Sequence, residues 1–463
     1  MDYNKMPTNS FETFHLSWIP EKKQLTKPCY LALANALEAD ILSGKLAAGT
    51  RLPPQRELAD YLDINFTTVT RAYTLCRERK LIYGEVGRGT YVSPLPGTTR
   101  PGNTGNVIEL GIVNGFDHLR APVIEATAQL LQKSYLNQLY SYAEPAGHLH
   151  QRAAGAHWMT QMDVRTDSEH TAIFSGAQNA ISTALLSLFR IGDKMAVDEY
   201  TYSNLIGTAK LSHIQLIPVK GDESGMLPDH LDFLCQKHRI RGLFLMPNCA
   251  NPTTRTLTEQ RKDALADTAQ KFGLTVIEDD NTGASVPLAN SYHSLFSRLP
   301  EQTLYICNAT MALCSGLRVA FAAFPEKFRP QLLEALFHLN IKTSSLDAEI
   351  MTELILSGKA KKILEQKRFL AEERNKIFDR IFPQAPAPGS KGAFFRWLPL
   401  QNPCKSGMDM ERDLRDMGVN VYHAYRFTVN RNPGHFFRFA ISSPETNEAL
   451  AQGLDTVRRY LEQ

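Results

Sequence analysis

The sequence lacks three features that would place it in other classes of protein. Its 463 residues contain no run of about 18 apolar residues, which is roughly what a membrane-spanning helix needs. Its first 20 residues are polar and acidic where a signal peptide is apolar. Its seven cysteines are odd in number, scattered and never in a CxxC spacing, which argues against a disulfide framework and a zinc site. We therefore expect a cytoplasmic protein with reduced thiols, no membrane partner and no metal.

The chain also has little net charge. It sums to +3, and residues 21–95 account for this excess with eleven Lys/Arg against eight Asp/Glu. Such a bias permits binding to nucleic acid without demonstrating it. The apolar share of 43% and the charged share of 21% are typical of a folded soluble chain, and the length exceeds what one hydrophobic core supports. At about 100–200 residues per domain, we expect roughly two to four domains.

Between residues 27 and 94 the sequence predicts three helices and a β-hairpin. In "YLALANALEADILSGKL", Leu33, Leu37 and Ile41 recur every fourth position, which is typical of one helix face. "QRELADYL" predicts a second helix, and "DIN" connects it to "FTTVTRAYTLCRERK", whose apolar residues are spaced i, i+3, i+4 and i+7. Two helices with so short a connection predict a helix-turn-helix, and "LIYGEVGRGTYVSP" predicts a wing around its Gly-Arg-Gly turn.

The third predicted helix presents a polar face that could enter a DNA major groove. Phe66, Thr67, Thr70 and Arg71 point away from its apolar stripe, and Asn65 is its predicted N-cap. Arginines near the second helix and at the wing tip are candidates for phosphate contacts. The candidate DNA-binding residues are Arg51, Arg56, Asn65, Phe66, Thr67, Thr68, Thr70, Arg71 and Arg88. The alternative is a helical interaction module whose threonines only cap helices and whose arginines are only solvated.

The ordered phrases "GTRLPPQRELADYL", "TTVTRAY" and "GRGTYV" resemble the DNA-binding domain of GntR-type bacterial transcription regulators, over about 70 residues. The resemblance implies a homodimer on a double-stranded DNA operator, with half-sites about 34–36 Å apart. We predict an N-terminal tail at residues 1–20 and a winged helix-turn-helix at 21–94. A flexible linker rich in Pro, Gly, Thr and Asn would follow at 95–107, before a second domain at 108–463.

In the second domain, β-like apolar runs alternate with helical patterns. "TAIFSG", "KMAVDEY", "IRGLFLMP", "LTVIEDD" and "TLYIC" are separated by helix-length segments such as "EQRKDALADTAQKFG". This alternation predicts an α/β fold with a mainly parallel sheet. Ligands of such folds bind at the carboxyl ends of the strands, so we searched those positions for functional side chains.

Candidate ligand-binding residues follow the predicted strands. In "FSGAQNAIS", Ser175, Gly176 and Ala177 form a strand-to-helix turn, where exposed N–H groups and the helix dipole favour a phosphate. "VIEDDNTG" ends a strand with three carboxylates, which could pair with a protonated ring nitrogen but are also common as solvated strand ends. Arg438 lies in the apolar strand "HFFRFA", where an unpaired charge is costly, so it needs a carboxylate partner from protein or ligand.

In this order, over some 350 residues, these elements resemble the fold-type I aminotransferases, and the whole chain resembles the MocR subfamily of GntR regulators. The resemblance implies a multi-domain protein, with the winged helix-turn-helix followed by an aminotransferase-like effector-binding and dimerisation domain. It also implies a site for pyridoxal phosphate. The candidate ligand residues are Ser175, Gly176, Ala177, Tyr202, Asn251, Asp279, Asn281, Met311, Arg318 and Arg438.

The resemblance gives several of these residues separate roles. Asp279 would pair with the pyridine nitrogen, Asn251 would contact the 3-hydroxyl and Tyr202 would stack on the ring face. The phosphate would be held by Ser175, Gly176 and Arg318. Arg438 would take the carboxylate of an amino-acid ligand.

The departures from the family pattern lie at the reacting end of the cofactor. Anchoring on "SGLR" leaves Met311 where the family has the Schiff-base lysine, and there is no lysine between Lys271 and Lys327 to replace it. The family tyrosine after the acidic pair is Asn281, and the glycine after Asn-Pro-Thr is Thr254. Transamination needs an amine that carries the aldehyde and moves the proton of the substrate, and a thioether can do neither.

We therefore expect a ligand-responsive transcription regulator that is not an active aminotransferase. Its small-molecule effector would be pyridoxal phosphate, its amino-acid adduct or a related metabolite, bound without a covalent link. One alternative is a pyridoxal-phosphate-dependent aminotransferase that carries a DNA-binding domain. Another is a degenerate domain that serves only dimerisation, with Met311 as core packing in a pocket without a ligand.

Overall fold

The computed structural model describes residues 17–21, 25–85, 88–93, 107–280, 294–401, 405–430 and 434–463. The chain divides into two compact units, Met1–Gly105 and Asn106–Gln463. Among the described residues, none of the helices has the length and apolar character needed to cross a membrane.

The first unit is a winged helix-turn-helix, as the sequence predicts. Its elements are α1 (Cys29–Leu42), α2 (Gln55–Leu62), α3 (Phe66–Glu78), β1 (Ile82–Glu85) and β2 (Gly89–Val92). Asp63 ends α2 in a left-handed conformation with φ 55°, and the side chain of Asn65 caps α3 through the N–H of Thr67 at 2.9 Å. These two residues form the tight turn between the helices. The strands β1 and β2 pair antiparallel as the wing.

The core of the first unit begins earlier in the chain than we predicted. Leu33, Leu37 and Ile41 are buried together with Trp18, whose side chain is 3% exposed. The indole N–H of Trp18 donates to Asp40 at 2.8 Å. The predicted tail at residues 1–20 therefore extends too far. Burial of the indole fixes the segment around Trp18 against α1 and makes it part of the domain.

The second unit alternates strands and helices. Its strands are β3 (Ile108–Glu109), β4 (Thr171–Phe174), β5 (Lys194–Asp198), β6 (Gln215–Val219), β7 (Gly221–Asp222), β8 (Gly225–Met226), β9 (Ile240–Leu245), β10 (Thr275–Asp280), β11 (Thr303–Cys307), β12 (Ala320–Ala323), β13 (Arg396–Pro399), β14 (Val419–Asn420), β15 (Tyr422–His423) and β16 (Phe436–Phe439). Its α-helices are α4 (Ala121–Leu130), α5 (Leu136–Leu139), α6 (Leu149–Met159), α7 (Ala177–Leu188), α8 (Ser203–Leu211), α9 (Pro228–Lys237), α10 (Glu259–Phe272), α11 (Leu295–Arg298), α12 (Ala309–Ala312), α13 (Arg329–Asn340), α14 (Ser345–Leu356), α15 (Lys359–Ile381), α16 (Gly407–Asp416) and α17 (Asn447–Leu461).

A seven-stranded sheet forms the centre of this unit, with strand order β4-β12-β11-β10-β9-β5-β6. The pairs β5/β6, β5/β9, β9/β10 and β10/β11 are parallel, whereas β12 runs antiparallel to both of its neighbours. The mainly parallel sheet confirms the predicted α/β fold. A smaller antiparallel sheet of order β13-β16-β15 lies in the C-terminal part.

Both faces of the large sheet are buried, because alternate residues of a strand enter different hydrophobic clusters. In β5, Met195 and Val197 pack with α7 and α8, whereas Ala196 packs with residues of α9 and α10. This two-sided burial is typical of parallel sheets covered by helices. It explains why the strand sequences are nearly continuous apolar runs, and it leaves the ends of the strands for polar side chains.

Candidate ligand cleft and DNA interface

The topology gathers the predicted ligand residues at one edge of the sheet. The strands β5, β9, β10 and β11 are mutually parallel, so their carboxyl ends lie at the same edge, and β12 begins there because it runs the other way. Tyr202 follows β5 and Asn251 follows β9. Asp279 is the penultimate residue of β10, and Arg318 precedes β12. Residues separated by more than 100 positions in sequence are thus brought to one place.

Tyr202, Asn251 and Arg318 line a cleft of about 440 Å³. Asp279 and Gly176 are not among its lining residues, but the charge of Asp279 acts on Tyr202, which is. Six of the ten predicted ligand residues line it, namely Ala177, Tyr202, Asn251, Met311, Arg318 and Arg438. Side chains that the sequence did not single out, among them Asn204, Ser315, Phe395 and Tyr422, complete the lining. Asn281, a further predicted ligand residue, lies outside the residues that the structure describes.

One end of the cleft is built to receive an anion. Gly176 precedes α7 with φ 84°, and a Cβ at this position would lie 2.6 Å from Nη2 of Arg318. The guanidinium of Arg318 forms no hydrogen bond or ion pair that joins it to another described residue. The first N–H groups of α7, from Ala177 on, have no partners within their own helix. A phosphate there would meet the helix dipole and a free guanidinium together.

Ser175 is placed differently from our prediction. Its hydroxyl accepts a hydrogen bond from Nδ2 of Asn340 at 2.7 Å and donates to Oγ1 of Thr343 at 3.3 Å. Its backbone N–H donates to Oδ1 of Asn179. Ser175 does not line the cleft, so its side chain connects α13 and the following turn to the strand end instead of facing a ligand.

The three carboxylates at the end of β10 have different environments. Glu278 accepts from the N–H groups of Leu295 and Phe296 and so caps α11. Asp280 accepts from the hydroxyl of Tyr305 at 2.5 Å. Asp279 is 1% exposed, and neither of its oxygens has a hydrogen-bond partner within the described residues. Only this carboxylate is left for a ligand.

The surroundings of Asp279 disfavour its negative charge, and a cation beside it would stabilise that charge. Burial, and next the charge of Asp280, raise the pKa of Asp279 to about 8. Burial and the nearby charge of Asp279 also raise the pKa of Tyr202, to about 12. The pyridine nitrogen of a bound ring, once protonated, would supply the missing positive charge and lower the pKa of Asp279.

Asn251 and Tyr202 line the cleft beside this carboxylate. Oδ1 of Asn251 is buried and has no partner among the described residues. The hydroxyl of Tyr202 accepts from Nδ2 of Asn204 at 3.0 Å, which orients the ring at the start of α8. An unpaired amide oxygen beside an aromatic ring suits a flat ligand with a hydroxyl group.

Arg438 is a buried cation with spare donors. It is 4% exposed on β16, and its Nη2 donates to the carbonyl of Gly111. Nε and Nη1 have no partner within the described part of the chain. Burial lowers the pKa of Arg438 to about 10, which keeps it charged at neutral pH. Phe427 and Tyr422 pack against the guanidinium, with ring centroids 5.2 and 5.4 Å from Cζ. We predicted a carboxylate partner from protein or ligand, and no described carboxylate forms an ion pair with Arg438.

Met311, which the sequence comparison with the family predicts at the position of the lysine, lines the cleft and packs against a cluster that includes Phe116 and Phe395. Lys367 of α15, which is fully buried, lies behind this segment. Nζ of Lys367 lies 3.4 Å from the carbonyl oxygen of Met311 and 2.9 Å from that of Leu313. Burial lowers its pKa to about 8. The amino group thus holds the main chain of the segment and is not among the residues that line the cleft.

Lys367 was not among the residues predicted from the sequence, although its position on α15 carried a signal. It lies on the buried stripe of α15, between Ile363 and Ala371 at intervals of four residues. A lysine on an apolar helix face needs acceptors inside the protein, and two main-chain carbonyls provide them. The pattern could have predicted its burial, but not which carbonyls it contacts.

In the first unit, most of the predicted DNA-binding residues are available to a partner. Arg51, Arg56, Asn65, Phe66, Thr67, Arg71 and Arg88 are exposed, whereas Thr68 and Thr70 are half-buried. The hydroxyl of Thr70 contacts Oε1 of Gln55 at 2.9 Å and the carbonyl oxygen of Phe66 at 3.1 Å, so it supports the helix-turn-helix from within. Arg88 at the wing is 79% exposed and lies 3.6 Å from Glu85.

Comparison with known families divides the chain as the fold does. A family model described as bacterial regulatory proteins, gntR family, matches residues 29–92. A model described as aminotransferase class I and II matches residues 106–454. The HTH-type transcriptional regulator YdeF of Bacillus subtilis is 35% identical over 99% of both chains. This chain belongs to the GntR-type transcription regulators with an aminotransferase class I and II domain. It is a DNA-binding regulator, as the sequence predicts.

More distant relatives agree with this membership. The vitamin B6 salvage pathway transcriptional repressor PtsJ of Salmonella typhimurium is 24% identical over 89% of this chain and 94% of its own. The structure of LysN, an α-aminoadipate aminotransferase of Thermus thermophilus complexed with N-(5'-phosphopyridoxyl)-L-leucine, has a TM-score of 0.69 at 21% identity, over 77% of this chain and 92% of LysN. An archaeal alanine:glyoxylate aminotransferase has a TM-score of 0.71 at 18% identity over 77% and 91%. These structures confirm the fold-type I architecture of the second unit.

Proposed function

We propose that this regulator senses pyridoxal phosphate, or an adduct of pyridoxal phosphate with an amino compound, through a cleft that binds it reversibly and does not transaminate. The observation that carries the proposal is the fully buried carboxylate of Asp279, which has no hydrogen-bond partner among the described residues. A buried, unsatisfied carboxylate is unfavourable unless a ligand pairs with it. The cleft beside it has an anion-binding end and a second buried cation.

The residues of the cleft match such a ligand group by group. Gly176 and Arg318 would hold the phosphate, Asp279 the pyridine nitrogen and Asn251 the ring hydroxyl. Arg438 would bind a carboxylate carried by an attached amino acid. When bound, pyridoxal phosphate supplies an electrophilic aldehyde, and at that end the cleft presents Met311, which cannot attack it. Each charged hydrogen bond contributes about 1.5–3 kcal/mol net, so several of them can replace a covalent link.

Two further considerations support the proposal. A relative is named as a repressor of vitamin B6 salvage, and a solved structure with the same fold contains a phosphopyridoxyl amino acid. A ligand changes operator affinity only to the extent that it binds one conformation of the regulator more tightly than another.

We infer that the functional unit is a homodimer, because GntR-type domains bind paired half-sites.

The test uses the full-length protein with three probes: pyridoxal phosphate, N-(5'-phosphopyridoxyl)-L-leucine and a DNA duplex selected by the protein itself from a random pool. Equilibrium dialysis should show reversible binding of both small molecules. Fluorescence anisotropy of the DNA should show that at least one of them changes the affinity for DNA. If neither compound bound, the proposed sensor would be contradicted, and a domain that serves only dimerisation would be favoured.

The enzyme alternative has a separate readout. The same protein, incubated with pyridoxal phosphate, an amino acid and a keto acid, should form no new keto acid beyond the rate without protein. Sustained turnover would mean that the chain is an aminotransferase with a DNA-binding domain, and that another group performs the task of the missing lysine.

A further inference from the structure

The second unit has a basic cleft at the edge of the sheet opposite to the ligand cleft. It is lined at the amino ends of the parallel strands by Arg190, Lys194, Arg239 and Arg241, with Asp193 as the one acidic residue of its lining. The space between them is about 660 Å³ and is open to solvent. The unit as a whole has no such excess of positive charge, since the chain's net charge of +3 is matched by residues 21–95.

The four cations of this basic cleft have no partners among the residues that the structure describes. None of their side chains forms an ion pair or hydrogen bond to another described residue, and Asp193 is engaged with the N–H of Arg190 at 2.8 Å. Some other exposed cations of the unit have acidic neighbours. Lys376 is bonded to Glu373 at 2.7 Å and Arg412 to Asp409 at 2.8 Å. The cluster is therefore a concentrated, uncompensated positive field.

The backbone directs Arg241 into this cleft. Lys194 of β5 pairs with Ile240 of β9, but Met195 pairs with Gly242, so that Arg241 is the extra residue of a bulge. It is the exposed residue of a strand whose other residues are buried. Bulges re-aim side chains at the edges of sheets. The bulge thus leaves the side chain of Arg241 exposed near Lys194. In a strand without a bulge, this position would be one of the buried apolar positions.

We propose that this basic cleft binds the sugar-phosphate backbone of duplex DNA that flanks the operator core. The inference rests on the DNA-binding function of the chain. The cleft offers three exposed arginines, Arg190, Arg239 and Arg241, and the half-buried Lys194, and its lining lacks the buried polar side chains that fix a small ligand in one orientation. Such an array suits sequence-independent contacts to a polyanion, which gain free energy from the release of counterions. It would extend the DNA contact beyond the winged helix-turn-helix.

The test compares full-length wild type with the double variant R239Q/R241Q. The matched control is K376Q/R412Q, which loses the same charge from exposed positions that have acidic neighbours. Anisotropy is measured over a range of salt concentrations on two duplexes selected by the wild-type protein. One is a core of about 20 base pairs that carries two half-sites. The other extends this core with arbitrary flanks to about 60 base pairs.

On the long duplex, R239Q/R241Q should bind roughly tenfold more weakly at low salt, and the slope of log K against log salt should fall by about 0.9 for each lost phosphate contact. On the short duplex it should match wild type, and the control should match wild type on both. Wild-type behaviour of R239Q/R241Q on the long duplex would overturn the proposal, and so would equal losses on the two lengths.

Two further outcomes have distinct meanings. Failure of the wild-type protein to bind any duplex would contradict the DNA-binding function itself and, with it, this inference. Saturable binding of inorganic phosphate or ATP that R239Q/R241Q abolishes, with DNA affinity unchanged, would identify a site for a small anion and would overturn the assignment to DNA.

Discussion

The two ends of the ligand cleft carry different chemistry. At one end, Asp279 and Arg318 are ionisable groups without hydrogen-bond partners among the described residues, and Arg318 lies next to the glycine turn of Gly176. At the other end, Met311 is apolar, and the nearby amino group of Lys367 is held by two main-chain carbonyls. Recognition groups and a reactive group are therefore separable. A fold can keep the first set and lose the second, and its cleft then becomes a binding site.

The largest expected effect is the restoration of the covalent link. Met311→Lys in the full-length protein should create the absorbance of a protein-bound imine with pyridoxal phosphate, and a pyridoxyl-lysine at residue 311 after borohydride reduction. The reason is that an amine would then stand beside a cleft that already holds the rest of the ligand. Peptide mass spectrometry identifies the site of modification.

Met311→Gln is the matched control for this change, because it is polar and similar in length but not nucleophilic. It should give neither signal. If Met311→Lys folds as wild type and binds no pyridoxal phosphate in any form, the two ends of the cleft are not parts of one ligand site.

The next effect concerns the carboxylate of Asp279. Asp279→Asn should weaken pyridoxal phosphate binding by about tenfold or more, because a neutral amide cannot form the charged pair with the ring nitrogen. Equilibrium dialysis measures the loss. Glu278→Gln is a control that affects a carboxylate committed to capping α11, and it should leave pyridoxal phosphate affinity within about threefold of wild type.

Asp279→Asn should weaken ligand binding but raise the stability of the ligand-free protein. The pKa of Asp279 is raised to about 8, whereas an unfolded aspartate titrates near 4, so the unfolded state loses its proton first. The carboxyl group therefore lowers the free energy of unfolding progressively between about pH 4 and pH 8. Without ligand, Asp279→Asn should melt a few °C above wild type at pH 8 and near wild type at pH 4. A lower melting temperature at pH 8 would contradict the environment described for this residue.

Part of the fold and of the candidate site could be predicted from the sequence. The winged helix-turn-helix and the α/β unit followed from the spacing of apolar residues and from strand-like runs, because those patterns are local. The resemblance to aminotransferases selected Asp279 among three adjacent carboxylates. Periodicity alone could not make that choice, since the partners of the other two, Leu295, Phe296 and Tyr305, come from distant parts of the chain.

Other features depend on tertiary contacts that no local pattern encodes. Ser175 was predicted at the phosphate, but its hydroxyl bonds to Asn340 and Thr343, which are more than 160 positions away. Trp18 lies in the predicted N-terminal tail, but its side chain is buried in the core that α1 contributes to. The basic cleft is formed by loops and strand ends that meet only in the folded sheet.

A smaller effect is expected at the second cation of the ligand cleft. Arg438→Gln should weaken binding of N-(5'-phosphopyridoxyl)-L-leucine by roughly tenfold, because the carboxylate loses its charged partner. Binding of pyridoxal phosphate alone should change by less than about threefold, since that compound has no such carboxylate. Dialysis with both compounds distinguishes the two. Equal losses would mean that Arg438 shapes the whole cleft and does not recognise a carboxylate.

The smallest effects are expected at single DNA contacts. Arg56→Ala or Arg88→Ala should each weaken operator binding by a few-fold and make it less sensitive to salt, because each removes about one phosphate contact. Arg438→Ala should leave the operator affinity of the ligand-free protein nearly unchanged, because this residue lines the ligand cleft and belongs to neither the winged helix-turn-helix nor the basic cleft. Anisotropy titrations over a range of salt concentrations measure both effects. A large loss with Arg438→Ala would contradict this separation of ligand-binding residues from DNA-binding residues.

The most direct test of the central claim is a titration of the full-length wild-type protein with pyridoxal phosphate, followed by borohydride reduction and peptide mass spectrometry. We predict saturable binding that dialysis reverses, no absorbance of a protein-bound imine, and no pyridoxyl group on Lys367 or on any lysine that the cleft contacts. A pyridoxyl-lysine formed in proportion to saturation would contradict the account, because it would show that a lysine distant in sequence supplies the covalent link that we propose is absent.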